Sequence, residues 1–455
     1  MITILPLGGA GEIGASCFYL NIAGTGIILD CGMHPQKTGL ETLPAFDLIK
    51  DLPVDFVLIS HAHQDHIGTL PFLVQKHPYV RIISTPQTRA IAELTLHDSV
   101  SIIKEQIGEL EVLKIYSHEE IDLLIRSIEY KAYKEEFFII GYKHRSTEQI
   151  KVIFLDAGHI LGSAGILLEF NNHKLFYTGD INLEPQELLI GADLPKTKID
   201  TLIIETTYGN TDSSQLKSWN DEAVLFATEA NKIINNGGSI LIPVFALGKT
   251  QEILAIIWNL MEKRKLIQTD IYTGGLGTKI NRVYDYNRYV INYFNPDFEL
   301  RNIPQKNIYE VDNYNNFFKT PSIILASSGM MLEETISFQL AKRWLAQSKS
   351  GIFTVGYMEE STPGYKFAKA LKGNKIKLTK YSEPIEVKCS IKNFRFSAHA
   401  KRDGLMEIVM KLNPNNVILV HGDSPAIDWV GAAILKNYKR TRVFKAEKGR
   451  EITLS

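Results

Sequence analysis

The chain of 455 residues has few cysteines and no long apolar segment. Its three cysteines, Cys17, Cys31 and Cys389, are odd in number and far apart, which excludes a disulfide framework and a zinc site built from cysteine. No run of about 18 apolar residues is present to cross a membrane, and the first residues lack the basic and apolar regions of a signal peptide. We therefore expect a cytoplasmic protein with no membrane partner.

A strong net charge is also missing. The formal net charge is -1, so composition alone does not indicate a nucleic-acid-binding protein. Two segments are nevertheless basic: residues 366–395 carry nine Lys or Arg against two Glu, and residues 436–450 carry seven against one. Each segment is explained either by a solvated surface or by a groove that attracts a polyanion, and the sequence leaves both interpretations open.

The stretch that follows the apolar run 54–59 is the most informative part of the chain. It reads SHAHQDHIG and places four potential metal ligands within six residues: His61, His63, Asp65 and His66. In a turn at the end of a strand, these side chains can converge from two sides. Imidazoles and carboxylates without cysteine suit zinc or a similar divalent ion, and two groups of ligands suggest two ions.

The other histidines fall into two classes. Of the 12 histidines, none lies between Asp180 and His399. His159, His399 and His421 lie in turns rich in small residues, and two of these turns directly follow apolar strands. Ligands gathered from distant strand ends at one sheet edge are a common way to build a metal site. The remaining six have the polar surroundings of ordinary surface or structural residues: His34, His77, His97, His118, His144 and His173.

The pattern of elements changes along the chain. The first part alternates short apolar strands with glycine turns, and several of these strands end in His, Asp or Glu. The next part alternates strands and helices regularly, which predicts a parallel sheet covered by helices. Because candidate ligands resume only at His399, we expect an inserted domain. The predicted boundaries are 1–207 and 391–455 for the first domain and 208–390 for the insertion.

Taken together, the first group of motifs resembles a known fold family. HAHQDH at residues 61–66, AGHILGS around His159 and YTGD ending at Asp180 are similar to the motifs of the metallo-β-lactamase fold. That resemblance implies an α/β protein whose main domain is an αββα sandwich with a metal site at its edge. It is consistent with the β-rich first part of the chain and with strands that end in potential ligands.

The later motifs resemble the β-CASP branch of nucleases within that fold. They are IIETTYG containing Glu205, FSAHA containing His399 and LVHG containing His421. Within the branch, the chain resembles the RNA 3′-end-processing endonucleases of the cleavage and polyadenylation machinery and their prokaryotic homologues. The resemblance covers essentially the whole chain and implies that the predicted insertion is a β-CASP α/β domain, a parallel sheet flanked by helices.

The resemblance also implies roles for individual residues. It assigns seven ligands to two zinc ions: His61, His63 and His159 to one ion, Asp65, His66 and His421 to the other, and Asp180 as a bridge. Asp30 resembles a carboxylate that orients the ligand turn, with a simple turn residue before Gly32 as the alternative. Catalysis is assigned to Asp65, Glu205 and His399, where the histidine, paired with Glu205, would meet the scissile phosphate.

Residue 421 and the inserted domain bear on the substrate. The family's DNA-repair members have an apolar residue at position 421 and its RNA members have histidine, so His421 favours RNA. In the insertion, Lys249 and the turn Ser327-Ser328-Gly329 are expected to bind neighbouring phosphates, with ordinary helix-start chemistry as the alternative. Lys249 replaces the family's usual arginine, which keeps a positive charge but loses the guanidinium fork.

These observations predict a zinc-dependent ribonuclease that hydrolyses phosphodiester bonds of single-stranded RNA with two Zn²⁺ ions, in RNA processing or decay. Three alternatives stay open: a DNA 5′-exonuclease of the same branch, a small-molecule metallo-hydrolase such as a thioesterase or lactamase, and a non-catalytic RNA-binding module. The sequence does not distinguish endonucleolytic cutting from cutting inward from a 5′ end, and it leaves a homodimer open.

Overall fold

The computed structural model describes residues 2–107, 115–290, 295–356, 358, 360–379 and 382–454. The chain divides into two compact units. The first unit comprises Met1–Glu184, Gly191–Gln215 and Ala398–Ser455, and the second comprises Pro185–Ile190 and Leu216–Ser397. Among the helices in the described ranges, none is long and apolar enough to cross a membrane.

The elements follow one another along the described chain in three blocks. Up to Gln215 they are strands β1 (Ile2–Gly8), β2 (Cys17–Ile22), β3 (Thr25–Leu29), β4 (Phe56–Leu58), β5 (Arg81–Ser84), β6 (Ile128–Tyr130), β7 (Glu136–Ile139), β8 (Ile150–Asp156), β9 (Ala164–Phe170), β10 (His173–Tyr177) and β11 (Thr201–Glu205), and helices α1 (Gln64–Ile67), α2 (Leu70–Lys76), α3 (Pro86–Ile107) and α4 (His118–Ser127).

The middle block contains α5 (Trp219–Asn235), β12 (Ile240–Pro243), α6 (Lys249–Glu262), β13 (Asp270–Thr273), α7 (Leu276–Asn287), β14 (Lys306–Asn307), β15 (Ser322–Ala326), α8 (Ile336–Leu345), β16 (Gly351–Val355), α9 (Pro363–Lys369), β17 (Lys375–Ile376), β18 (Ile385–Glu386) and β19 (Ser390–Phe394). The last block contains α10 (Arg402–Leu412), β20 (Asn416–Val420), α11 (Ser424–Asn437), β21 (Arg442–Lys445) and β22 (Ile452–Leu454). Short 3₁₀ helices lie at Gly39–Thr42, Phe46–Ile49, Ser213–Gln215, Leu300–Asn302, Ile308–Glu310 and Tyr314–Phe318.

Two mixed sheets form the first unit. One has the strand order β22-β1-β2-β3-β4-β5-β6, and the other β21-β20-β11-β10-β9-β8-β7. Side chains from both sheets form one continuous core that includes Ile4, Phe18 and Phe154. Helices α10 and α11 pack on the outer face of the second sheet through residues such as Leu405 and Ile434, while α3 and α4 contact β6 of the first sheet. The predicted αββα sandwich is therefore confirmed.

Strand direction in this unit brings distant segments to the same sheet edges. In the second sheet, β10, β11 and β20 run parallel, and Glu205 pairs with Val420. In the first sheet, β3 and β4 run parallel. Parallel strands end at the same edge, so the residues that follow them start close together. These residues are Asp30 after β3, His61 after β4, Asp180 after β10 and His421 after β20.

The second unit is built on a parallel sheet with the order β14-β13-β15-β12-β16-β19, accompanied by the small antiparallel pair β17-β18. Strands β12, β15 and β16 read ILIP, SIILA and GIFTV and are buried along their whole length. Central parallel strands covered on both faces need such continuous apolar runs. Helix α8 closes one face with the fully buried Trp344. The predicted parallel α/β sheet is confirmed.

Candidate metal centre

The ligand turn starts where β4 ends. Helix α1 begins directly after His63, so the chain bends within the ligand motif itself. Gly32, in the segment after β3, allows a close approach, because a Cβ atom there would lie 1.7 Å from the carbonyl oxygen of Asp65. The Cys31 amide donates a hydrogen bond to the His66 carbonyl at 2.7 Å. The turn is thus held by backbone contacts that leave its imidazoles free to converge.

One group of donor atoms comes from the ligand turn, from the turn after β8 and from the end of β10. His63 Nδ1 lies 3.1 Å from His61 Nε2 and 3.1 Å from His159 Nε2. Asp180 Oδ2 lies 3.6 Å from each of the latter two nitrogens. Three imidazoles and one carboxylate therefore direct one ligand atom each into the same small space, with all four atoms within 4.8 Å of one another.

A second group lies on the other side of Asp180. Asp65 Oδ2 is 3.3 Å from His421 Nε2 and 3.8 Å from His66 Nε2. Asp180 Oδ1 is 3.3 Å from His66 Nε2 and 3.3 Å from His421 Nδ1. The two oxygens of one carboxylate thus face different ligand groups, which is the arrangement that the sequence resemblance implies for a bridging residue.

The donor atoms fit divalent cations. In the described part of the chain, His66 Nε2 and Asp180 Oδ1 are buried, and neither makes a hydrogen bond of normal geometry. Leaving such polar atoms buried without a partner costs free energy unless an ion or a water molecule satisfies them. The donors are imidazole nitrogens and carboxylate oxygens, a set that zinc accepts. The clusters can hold metal ions on these grounds.

Asp30 stands behind the ligand turn and accepts four hydrogen bonds. Its carboxylate accepts from the Ser60 amide at 2.6 Å, the Ser60 hydroxyl at 2.7 Å, His66 Nδ1 at 2.8 Å and the Tyr177 hydroxyl at 2.7 Å. Because Nδ1 of His66 bonds to Asp30, Nε2 is the nitrogen that faces Asp180. A carboxylate that fixes the tautomer and ring orientation of a ligand histidine is typical of metal sites.

The electrostatics keep three histidines neutral. Burial lowers the pKa of His61 and of His159 well below the usual value, and neighbouring histidines act in the same direction. Burial also lowers the pKa of His63. A metal ligand must offer a lone pair, so an imidazole whose protonated form is disfavoured is prepared for that task.

The histidines on the other side of Asp180 behave differently. Burial works against the charged form of His66 and His421, but the carboxylates of Asp180 and Asp65 outweigh it and raise both pKa values. Asp180 is buried and the Asp65 side chain is 22% exposed, and the nearby histidines hold the pKa values of both carboxyl groups below the usual range. The negative charge of this group therefore needs a positive partner, which a proton or a divalent cation can provide.

His399 and Glu205 form a pair beside the ligand groups. His399 Nδ1 lies 3.1 Å from Glu205 Oε1 and 3.2 Å from Oε2, and Glu205 also accepts from the Ile181 amide at 2.8 Å. Glu205 is buried, whereas the His399 side chain is 20% exposed and can reach a substrate. His399 Nδ1 is 4.0 Å from Asp180 Oδ2, and Asp180, Glu205 and His399 form a third group that could hold a metal.

Lys249, predicted to bind a phosphate, is half-buried and bonds to the protein. Its ammonium donates a hydrogen bond to the Phe396 carbonyl and lies 5.2 Å from the centroid of the Trp219 ring. Burial lowers its pKa to about 8. All three residues belong to the second unit.

The turn Ser327-Ser328-Gly329 follows β15 and is held against the start of α8. Ser337 donates its amide to the Ser327 carbonyl at 3.1 Å and its hydroxyl to the Ser328 carbonyl at 2.8 Å. Gly329 packs so closely on Phe245 that a Cβ atom would lie 2.8 Å from the ring. These contacts fix the turn, and its predicted contact with a phosphate stays a prediction.

Sequence reasoning missed three residues that support the candidate site. Ser60 and Tyr177 bond to Asp30, and each stands in a ligand motif named above, next to His61 and three positions before Asp180, which was a usable signal. Thr207 Oγ1 lies 3.2 Å from His421 Nδ1, two positions after Glu205. A contact within the second unit was missed as well, because nothing local signals the hydrogen bond from Trp219 to the Ser397 carbonyl, 178 positions away.

Family models match three stretches of the chain. A metallo-beta-lactamase superfamily model matches residues 10–226, a Beta-Casp domain model residues 250–367, and a model described as a Zn-dependent metallo-hydrolase RNA specificity domain residues 384–444. The ligand turn, His159, Asp180 and Glu205 fall in the first stretch, and His399 and His421 fall in the third.

The chain is similar in sequence to several known proteins. It is 34% identical to the RNase J-like protein of Methanocaldococcus jannaschii, over 93% of this chain and 93% of that protein. It is 30% identical to cleavage and polyadenylation specificity factor subunit 3 of Dictyostelium discoideum, over 100% of this chain but 57% of that protein's length. A protein of unknown function from Enterococcus faecalis V583 has a similar solved structure, with a TM-score of 0.59 at 14% identity over the full length of both chains, which shows the fold alone.

Proposed function

Because the chain belongs to the β-CASP family within the metallo-β-lactamase superfamily, we propose that it is a zinc-dependent ribonuclease that hydrolyses phosphodiester bonds of single-stranded RNA. One observation carries the proposal: the two oxygens of Asp180 face two ligand groups, and the Glu205–His399 pair lies beside them. The names of its relatives, an RNase J-like protein and a cleavage factor subunit, point to the same substrate class.

The proposed ligands are the seven residues of the two groups described above. When bound, two divalent cations lower the pKa of water and neutralise the charge that develops on a phosphate during in-line displacement. The chain's own contribution is to hold the ligand atoms in place: Asp30 orients His66, and burial keeps His61 and His159 in the neutral form. Proton transfer and binding of the phosphate are then tasks for other side chains.

We assign those tasks to His399. When the ring is protonated, Glu205 accepts a hydrogen bond from Nδ1–H of His399, and Nε2–H can donate a hydrogen bond to a phosphate oxygen or deliver its proton to the leaving oxygen. The ring is partly exposed, as a group that touches the substrate must be. Glu205 is itself held by the Ile181 amide, so the pair is oriented before a substrate arrives.

His421 supports RNA over DNA as the substrate. The family resemblance places histidine at this position in RNA members, and here His421 Nε2 lies 3.3 Å from Asp65 Oδ2, within the second ligand group. We also propose that residues 208–390 are an inserted β-CASP domain, which the compact unit containing Leu216–Ser397 supports. A homodimer and a cytoplasmic location stay predictions, to be checked by light scattering and by fractionation of cells.

Purified protein should be assayed on single-stranded RNA, on single-stranded DNA of the same sequence and on a small thioester, each with and without a chelator. We expect cleavage of RNA that the chelator abolishes. Preferred cleavage of DNA would replace the proposal with the DNA 5′-exonuclease, and turnover of the thioester alone would replace it with a small-molecule hydrolase. RNA labelled at either terminus would show from its early products whether cutting is internal.

A further inference from the structure

Three successive carbonyl groups before His399 each accept a hydrogen bond from a side chain. The Phe396 carbonyl accepts from the Lys249 ammonium, and the Ser397 carbonyl accepts from Trp219 Nε1 at 2.9 Å. The next carbonyl, that of Ala398, accepts from His159 Nδ1 at 2.7 Å. The first two bonds lie within the second unit and the third within the first unit. Few backbone segments of a loop are tied at three consecutive positions.

The two donors of the second unit also support each other. Lys249 is the first residue of α6 and Trp219 the first residue of α5, so both project from helix starts. The Lys249 ammonium lies 5.2 Å from the centroid of the indole, a distance at which a cation is attracted to an aromatic face. The indole in turn packs on the Phe396 ring, with centroids 5.2 Å apart. Cation, indole and backbone therefore form one packed arrangement.

Such a lysine is poorly placed to bind the substrate. Its side chain is half-buried, and its ammonium already donates to a backbone carbonyl. A lysine that attracts a phosphate works as a solvated point charge on a flexible stem. Lys263, at the other end of the same helix, is exposed and shows the contrast. The position of Lys249 is better explained by the backbone that it holds.

We propose that Lys249 and Trp219 are positioning residues, which hold the Phe396 and Ser397 carbonyls and thereby fix the backbone that presents His399. The inference rests on the proposed role of His399 and adds to it the residues that determine where its ring stands. A misplacement of about 1 Å in a reacting group can cost about 10²-fold in rate. The loss of either hydrogen bond should therefore reduce turnover without a loss of ligand atoms.

Lys249→Met removes the ammonium and keeps the stem, and Trp219→Phe removes the indole N–H and keeps an aromatic ring. Each should lower kcat by up to about 10²-fold, with KM for RNA, zinc content and melting temperature close to those of the parent protein. Lys249→Arg restores a donor and should recover most of kcat. Lys263→Met, at the exposed end of α6, is the matched control and should behave as the parent protein does.

A double-mutant cycle separates positioning from substrate binding. In a His399→Ala background, Lys249→Met should change kcat by no more than about twofold, because both changes act through the same ring. If Lys249 instead bound a phosphate, Lys249→Met would raise KM, add fully to His399→Ala and reduce the salt dependence of RNA binding by about one ion. That set of results would overturn the inference.

A measurement without RNA keeps the test independent of the proposed function. Histidine ring signals can be followed by ¹⁵N NMR, with the His399 signal identified by its absence in His399→Ala. We expect this signal to shift or broaden in Lys249→Met and Trp219→Phe and to stay unchanged in Lys263→Met. An unchanged His399 signal in both test variants would overturn the inference, even if the protein cleaves RNA. If the parent protein cleaves no RNA, the proposed function fails, and the NMR result still decides whether these residues position His399.

Discussion

The two compact units both contain buried or half-buried ionisable side chains, but they satisfy them in different ways. In the first unit, histidines and aspartates converge on one another, and His66 Nε2 and Asp180 Oδ1 are left without a hydrogen bond of normal geometry. In the second unit, Lys249 and Glu252 lie one turn apart on α6 and bond to the backbone. Lys249 donates to a carbonyl, and Glu252 accepts from the Glu187 and Leu188 amides at 2.8 and 2.9 Å.

In the second unit, burial disfavours the charged form of a carboxyl group that has one oxygen unpaired among the described residues. Glu252 Oε1 has no hydrogen-bond partner in the described part of the chain, and burial raises the pKa of this carboxyl to about 8. The group therefore keeps its proton at neutral pH. In the first unit, the histidines and aspartates face the same small space, and each group shifts the pKa values of the others. Ionisable side chains that converge on one another therefore indicate a ligand site, whereas ionisable side chains that bond to the backbone indicate a structural role.

The largest expected effect comes from removing a ligand of the first unit. His63→Ala should reduce RNA cleavage by several orders of magnitude and lower the zinc content, because His63 Nδ1 lies between two other ligand nitrogens. The melting temperature should change little in comparison, since the side chain stands in an edge turn. His97→Ala is the matched control, as His97 bonds to His118 and Asp122 and belongs to none of the ligand groups. Equal activity of the two variants would contradict the assignment.

A smaller effect is expected at the residue that we place beside the ions. His399→Ala should lower kcat by roughly 10²–10⁴-fold, the usual contribution of an acid–base group, with two zinc ions still bound. Glu205→Gln should also lower kcat, because an amide forms a weaker hydrogen bond to Nδ1 of His399 and orients the ring less firmly. Zinc analysis and steady-state kinetics on the same samples provide the check. Loss of a zinc ion from His399→Ala would make His399 a ligand, in line with the third group of potential ligands.

The next largest effect is expected at Asp30, the carboxylate behind the ligand turn. Asp30→Asn keeps the shape of the side chain but weakens the bonds to His66 and Ser60. We expect a loss of about 10–100-fold in zinc affinity or activity, the usual cost of disturbing a residue that orients a ligand. Competition with a chromogenic chelator measures the affinity. An unchanged zinc affinity together with a lower melting temperature would reduce Asp30 to a structural residue.

The positions that sequence could predict are those that stand next to one another or at strand ends. The six residues from His61 to His66 contain four potential metal ligands, which makes the motif easy to recognise. Asp180 follows an apolar strand, and Glu205 ends another. The hydrogen-bond partners of Tyr177 and Trp219 could not be predicted in this way. Each bonds to a residue more than 140 positions away, and only the packed fold brings the partners together.

The same limit explains why the contacts of Lys249 could not be predicted. Its motif predicted a phosphate-binding cation, and nothing in the local sequence shows that the helix start is buried against Phe396 and Trp219. At the level of the fold, the apolar strands of the second unit were long and regular enough to predict a parallel sheet. The short strands β6 and β7 were not predicted, because three or four residues carry too little periodicity.

The smallest effect on activity is expected in the second unit. Because the Glu252 pKa is raised from 4.5 to about 8, the folded state keeps a proton that the unfolded state releases. The stabilisation from this group is complete below the unfolded pKa and is lost as the pH rises through about 8. Glu252→Gln should therefore flatten the fall in stability between pH 5 and 8 and leave RNA cleavage unchanged.

Urea unfolding followed by tryptophan fluorescence can measure this effect, since three of the four tryptophans, Trp219, Trp258 and Trp344, belong to the second unit. Glu262→Gln, at the end of the same helix, is the matched control. A pH dependence that is identical in Glu252→Gln and the parent protein would show that the buried carboxyl does not hold its proton.

The most direct test of the central claim is a zinc titration of the metal-free protein with RNA cleavage followed in the same samples. The account predicts no cleavage of single-stranded RNA before zinc is added and full cleavage once about two ions are bound per chain. His63→Ala, treated identically, should stay inactive throughout. Full cleavage by the metal-free protein, or cleavage that reaches its maximum in His63→Ala, would contradict the account.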